Sequence, residues 1–349
     1  MNDDVSLELK FGDLCHDTLA ETMPHELSFD ENKDYETWRK QVKDKLSQLL
    51  RMDNIKPNAC PPNMKIEEDI QMDGYRRIRF VFESEKDAFV PCYLLIPNTG
   101  KEKYPLVITQ QGHSTGFHNS IGVKKYPEDE DYHPRGQFAL QAVANGYAAL
   151  AIENRGMGER KTYRRNDSGL MCAYQSLSAI VLGRTTIGER IWDVSKALDL
   201  VGENFPQIDM DKIAMTGNSG GGTLTYYAGC MEDRIKIVAP SCGFCTFEQS
   251  ILLVYHCACN YIPDMYKYFN MQDVACLIAP KRLGVLAGET DWPFRIKGVK
   301  DGYDTIEKIY QKAGCPDKCH LFVKDVGHYW TGTFEWEVIN QMAKEEGWF

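Results

Sequence analysis

The residues best placed for chemistry are a serine, an acid and a histidine, in that order along a chain of 349 residues. Gly-x-Ser-x-Gly occurs twice, at Gly112-His113-Ser114-Thr115-Gly116 and at Gly217-Asn218-Ser219-Gly220-Gly221. A reactive serine in such a pattern sits in a strained turn between a strand and a helix, and its neighbours must be small. The second match follows the apolar run KIAMT and opens GGTLTYYAGCM, a plausible helix. The first follows LVIT but runs into FHNSIGVKKYPEDED, which has no helical pattern. Ser219 is therefore the expected nucleophile. The glycines could instead form a plain tight turn or a phosphate loop. Gly222 is followed by Thr223-Leu224 rather than Lys-Ser/Thr, and no dinucleotide Gly-x-Gly-x-x-Gly fits.

A serine needs a base, and the base needs an orienting carboxylate. Downstream, RLGVLAGETD puts Asp291 just past one apolar run, and HLFVKDVGH puts His328 just past the next. Glu289 competes with Asp291, and His256 and His320 compete with His328. His256 falls in a cysteine-rich stretch and His320 begins a strand, which leaves His328 as the expected base. Acyl transfer also needs two N–H donors for the oxyanion. The residue after the nucleophile, Gly220, supplies one. The loop after an earlier strand supplies the other, and His113 of the first Gly-x-Ser-x-Gly match stands there. Trp292, directly after the acid, is expected to face the substrate.

The elements that must hold these residues are legible as hydrophobic patterns. Trp38, Val42, Leu46, Leu49 and Leu50 recur at helical spacing within 34–52. YRRIRFVFES alternates through Ile78, Phe80 and Phe82, and VPCYLLIP offers an antiparallel partner. Beyond residue 100, short apolar runs (106–109, 147–152, 212–216, 235–240, 282–288, 320–325) alternate with helical patterns such as 191–201. That alternation reads as a mostly parallel, twisted sheet with helices on both faces. The charged stretch 124–136 reads as a solvated loop.

Composition removes several alternatives. The chain is 43% hydrophobic with a net charge of −10, so it lacks the concentrated basic surface that nucleic acid or an anionic membrane requires. No run of 18 apolar residues predicts a membrane span, and MNDDVSLELKFGD is acidic where a signal peptide is basic and apolar, so a cytoplasmic protein is expected. The twelve cysteines then read as reduced thiols. The group Cys242-Gly-Phe-Cys245 and His256-Cys257-Ala-Cys259 has zinc-ligand residue types but not the usual spacing. It is read as packing thiols, or less readily as a redox pair, and no metal or cofactor is expected.

Taken together, QGHSTG, YAALAIENRGMGER, RTTIGERIWDVSKALDLV, MTGNSGGGT, LIAPKRLGVLAGETDWPF and VGHYW resemble the bacterial acetyl xylan esterase-like branch of the α/β-hydrolase superfamily. They are also similar to the dienelactone-hydrolase-like and cephalosporin-deacetylase-like groups. The resemblance spans about residue 75 to 349. Gln111 departs from the common His-Gly of the oxyanion loop, and Ser219 stands where dienelactone hydrolases carry cysteine. The resemblance implies an α/β-hydrolase fold, the triad Ser219, Asp291 and His328, and a small O-acyl ester substrate on a sugar or similar scaffold. We expect residues 1–65 to form an N-terminal helical extension and 66–349 the catalytic domain. A peptidase related to the prolyl oligopeptidases is a weaker reading, because so short a leading segment cannot form a β-propeller. A hydrolase fold used only for binding is the other alternative.

Overall fold

The computed structural model describes residues 14–129, 136–161 and 171–349. Part of the charged stretch 124–136 and the first thirteen residues lie outside them. The described residues begin with two helices, α1 (Leu14–Thr22) and α2 (Tyr35–Leu49). Asp34 starts α2, its carboxylate accepting from the Thr37 N–H at 2.9 Å, as an N-cap must. The α2 stripe Trp38, Val42, Leu46, Leu49, with the following Leu50, is fully buried in the main core.

Among the described residues, nine strands then form one sheet: β1 (Lys65–Gln71), β2 (Tyr75–Glu85), β3 (Ala88–Pro97), β4 (Tyr104–Gln110), β5 (Ala148–Ile152), β6 (Ile208–Asn218), β7 (Ile235–Ser241), β8 (Arg282–Gly288) and β9 (Cys319–Lys324). Their order is β1-β2-β3-β5-β4-β6-β7-β8-β9. β1 to β3 are antiparallel, β3 meets β5 antiparallel, and all pairs from β5 to β9 are parallel. The hairpin expected from residues 75–97 forms with Phe80 opposite Cys92. The parallel strands β4, β5 and β8 are buried along their whole length, which explains their unbroken apolar runs.

Between and after these strands lie α3 (Phe138–Ala144), α4 (Met171–Val181), α5 (Thr186–Asn204), α6 (Gly220–Met231), α7 (Met265–Tyr268), α8 (Ile296–Lys312) and α9 (Thr333–Glu345). Two large apolar cores result, one on each face of the sheet. α2, α5, α6 and α8 contribute to one, and α3 and α9 to the other. The expected α/β architecture with helices on both faces is the one observed.

β1 was not legible in the sequence. KIEEDIQ is an exposed edge strand held by ion pairs: Glu67 to Arg79 (2.8 Å), Glu68 to Arg77 (2.7 Å) and Asp69 to Arg76 (2.5 Å). Its register shifts between Ile66 and Glu68, and all three consecutive acids reach β2 arginines.

The chain runs β4, then β5 on one side, then β6 on the other. This switch point is where open α/β sheets bind ligands, beyond the carboxyl ends of the strands. The loops after β4, β6, β8 and β9 converge there.

Because α2 fills the main core, Leu46→Ala should lower unfolding free energy by about 2–5 kcal/mol. Denaturant titration measures it, and a loss below about 1 kcal/mol would show that α2 is only loosely attached.

Candidate active site

Ser219 joins β6 to α6 with φ 58° and ψ −123°. Its N–H donates to the Ser241 carbonyl at the end of β7 (3.0 Å), and its carbonyl accepts from Thr223 N–H (2.9 Å). The neighbours leave no room for side chains. A Cβ on Gly217 would lie 2.3 Å from the Gln110 carbonyl oxygen, and one on Gly221 would lie 2.2 Å from the same atom. Gly217 and Gly221 are therefore demanded by the packing of β4 against the elbow, and Gly222 by the Ser241 carbonyl of β7, 2.4 Å from its Cβ position. Gly220 opens α6, so its N–H has no intrahelical acceptor and is free for an anion.

The loop after β8 turns Asp291 inward, where it is 4% exposed. Its Oδ1 accepts from Phe294 N–H (3.0 Å), and its Oδ2 accepts from His328 Nδ1 (2.9 Å) on the loop after β9. With Nδ1 so engaged, Nε2 is the nitrogen left to exchange protons. Phe294 stacks on the His328 ring (5.8 Å, 13°), which adds an apolar wall to the pair. Glu289 is exposed and pairs with Lys300 at 3.5 Å, so the competing carboxylate is turned away. His256 is buried against Ser250 Oγ (3.0 Å) and edges onto Phe294. Cys242 lies against Asp291 and His328. Burial and the Asp291 charge push its thiol up to about 12, so it stays protonated at neutral pH.

Ser219, His328, Gly112, His113 and Ser114 line one cavity of about 480 Å³, a size suited to a small ligand. The loop after β4 touches the elbow directly: a Cβ on Gly112 would lie 3.0 Å from Ser219 Cβ. Phe138, Tyr329 and Trp330 form an aromatic wall. Trp330 is fixed by Phe138 (4.6 Å, T-shaped) and by donating Nε1–H to Gln141 Oε1 (3.0 Å). Trp292 does not line this cavity; it is 64% exposed. The expectation for it is corrected by the turn itself. Asp291, Pro293 and Phe294 are buried, and the turn directs Trp292 alone of the four to solvent.

The remaining lining is polar. Gln111 Oε1, Ser114 Oγ, Asn119 Oδ1 and Ser120 Oγ are buried without a hydrogen-bond partner among the described residues. Orphaned buried polar atoms are costly unless a ligand or water satisfies them. Sequence reasoning missed Asn119 and Ser120, which follow no periodic pattern. Behind this wall, Thr115 Oγ1 and His118 bond to Asp129, His118 Nε2 at 2.9 Å. Against the burial that raises it, hydrogen bonds from Thr115, Tyr126 and Lys125 hold Asp129 down to about 2.

Glu153, also missed, supports the loop from beneath. Its carboxyl is fully buried and accepts from the N–H groups of Phe117 (3.2 Å) and Glu159 (3.1 Å) and from Gln111 Nε2 (3.4 Å). Burial raises its pKa from 4.5 to about 7. The folded chain therefore holds this proton more tightly than the unfolded chain. The stabilisation is complete below about pH 4.5 and is lost as pH rises through about 7. Glu153→Gln should abolish that loss, so the variant's Tm gains on the wild type between about pH 5 and 7.5. A difference independent of pH would show that Glu153 is ionised in the fold.

The cysteine group weighed from the sequence is regrouped by the fold. Cys257 and Cys259 meet Cys172 and His113, while Cys242 joins the Asp291–His328 pair and Cys245 packs under Gly298. All twelve thiols are free.

The architecture has solved counterparts. A candidate acetyl xylan esterase from Bacteroides fragilis NCTC 9343 superposes with a TM-score of 0.77 at 17% identity, covering 99% of this chain and 97% of that one. A glucuronoyl esterase from Solibacter usitatus gives 0.66 at 16% identity, covering 93% and 97%. At these identities the likeness speaks for the fold. The candidate hydrolase YtaP of Bacillus subtilis (strain 168) is 26% identical over 258 residues, which is 73% of this chain and 83% of the relative. The model of the Abhydrolase family matches residues 12–329, and the chain belongs to that family.

Proposed function

We propose that this protein is a serine esterase that removes a small acyl group, acetyl above all, from a sugar or similarly hydroxylated scaffold. The observation that carries the reading is the His328–Asp291 pair opening, with Ser219, onto one cavity. His328 Nε2 takes the proton as Ser219 Oγ attacks the ester carbonyl. Asp291 holds the ring in the tautomer with hydrogen on Nδ1 and stabilises the imidazolium. The N–H groups of Gly220 and His113 receive the oxyanion, a contribution of about 3–4 kcal/mol per donor in comparable sites. His328 returns its proton to the leaving alcohol. It then activates water, which attacks the acyl group on Ser219 and frees the acid. Every step uses groups of this chain.

The polar wall supports the hydroxylated scaffold. A saccharide offers donors to Gln111 Oε1 and Asn119 Oδ1, and both donors and acceptors to Ser114 and Ser120. The solved relatives named as acetyl xylan and glucuronoyl esterases agree with an ester on a carbohydrate. Among the described residues no helix is long and apolar enough to cross a membrane.

A fluorophosphonate should label Ser219, and Ser219→Ala should lose roughly 10⁶ in kcat, as removal of a serine nucleophile does in subtilisin. Asp291→Asn should lose about 10⁴ by imposing the wrong imidazole tautomer, as in the corresponding serine-protease variant, whereas Glu289→Gln should lose little. Labelling at Ser114, or a larger loss at Glu289, would overturn the assignment.

Acyl size tests the substrate reading. The aromatic wall is anchored, and each unfavourable methylene costs about 1–3 kcal/mol where it does not fit. Octanoyl esters should therefore fall at least about 10²-fold below acetyl esters in kcat/KM. Equal or faster octanoyl turnover would make the protein a long-chain carboxylesterase.

A further inference from the structure

Beside the cavity, four potential ligands come together from three separate segments: His113 from the loop after β4, Cys172 from α4, and Cys257 and Cys259 from the turn at 257–260. One ligand atom from each lies within 4.8 Å of every other. His113 Nε2 is 3.3 Å from Cys259 Sγ. In a tetrahedral zinc site, bonds of about 2.3 Å to sulfur and about 2.0 Å to nitrogen place ligand atoms roughly 3.5–3.8 Å apart. The four atoms thus need only small side-chain adjustments to close on one ion. The spacing Cys-x-Cys is shorter than the usual knuckle, and the 3-10 turn at Ala258–Asn260 compensates by directing both thiols to one side.

A second observation concerns charge. Arg190 is 1% exposed, and its Nη2 lies 3.2 Å from Cys172 Sγ. It also donates to the Arg155 carbonyl, but Nε and Nη1 have no partner, and no carboxylate lies within ion-pair distance among the described residues. A guanidinium buried without a counter-charge is expensive. Zinc bound by three thiolates and one neutral imidazole carries a net charge of −1, which this guanidinium balances.

We propose that His113, Cys172, Cys257 and Cys259 form a structural Cys₃His zinc site, with Arg190 as its counter-ion. All four coordination positions come from the protein, so the ion has no open position for substrate. Its work is to tie α4 and the 257–260 turn to the oxyanion loop. A Cβ on Gly220 would lie 3.2 Å from the His113 ring, so the bound imidazole also packs against the start of α6. The sequence did not disclose the site because two of its ligands lie far upstream of the Cys-x-Cys pair.

Elemental analysis of the reduced, untagged, full-length protein made with zinc in the medium should find about one zinc per chain. Replacing zinc with Co²⁺ should produce the thiolate-to-cobalt charge-transfer band and strong visible bands of a tetrahedral site. Cys172→Ser and Cys257→Ser should each lose most of the metal and lower Tm by several degrees, since a structural ion contributes folding energy. Cys60→Ser and Cys245→Ser should keep it. The proposal fails if the wild type holds less than about a tenth of an equivalent of zinc and develops no charge-transfer band on Co²⁺ addition. It fails equally if mass spectrometry finds these cysteines in a disulfide, or if Cys172→Ser with Cys257→Ser retains full metal. Metal content and spectra are read without substrate, so the outcome stands apart from the esterase reading.

Discussion

A non-glycine residue at φ 58° and ψ −123° carries backbone strain of order 1–3 kcal/mol, and it persists only where its surroundings over-determine it. Around Ser219 the surroundings do so from three sides. β7 holds its N–H through the Ser241 carbonyl, α6 holds its carbonyl through Thr223, and β4 presses on both flanking glycines through Gln110. Each contact belongs to a central, buried part of the molecule. The elbow is thus as rigid as the sheet, and the loops that bring Asp291, His328 and His113 to it need only converge on a fixed point.

A buried network performs a related task on the flank of the sheet. Arg155, just past β5, binds Asp193 of α5 (2.8 Å) and Glu85 at the end of β2 (2.9 Å). Arg160 shares Asp193, and Arg184 shares Glu85 and Glu189. Three cations face three carboxylates, so the cluster is neutral, and Ser84 adds a hydrogen bond to Asp193 at 2.6 Å. The arginine charges hold Asp193 far below the usual carboxylate range despite its burial. The network fixes α5 against the β2–β3 hairpin and the loop carrying Glu159. Removing one member would strand a buried charge, which is far costlier than losing a surface pair.

Where burial and periodicity coincide, the sequence was readable. The α2 stripe, the β2–β3 register and the six apolar runs of the parallel region all became the expected elements, because each must bury one face or both. The order of Ser219, Asp291 and His328 was readable because each follows a strand, and parallel strands deliver their ends to one side. β1 was hidden because an edge strand needs no apolar face. Trp292 was misjudged because adjacency to Asp291 in sequence says nothing about direction within a tight turn. Glu153 and Arg190 were invisible as single charged residues whose burial depends on the whole fold. Cys257 and Cys259 were weighed with their sequence neighbours, whereas the fold gives them partners from α4 and the β4 loop.

The acid–arginine ladder between β1 and β2 has a consequence for how the chain pairs with itself. Glu67, Glu68 and Asp69 each meet a different arginine, and the bulge at Ile66 sets which. A strand without an apolar face would otherwise be free to slide, since no buried set is misplaced by a slip. Here a shift of one residue would leave one acid and one arginine of the ladder without a partner, so charge favours a single alignment. The same ion pairs leave the outer rim of the sheet charged and hydrated. A second chain presenting its own β1 there would have to desolvate these ion pairs, which keeps the open rim from templating growth into a larger sheet.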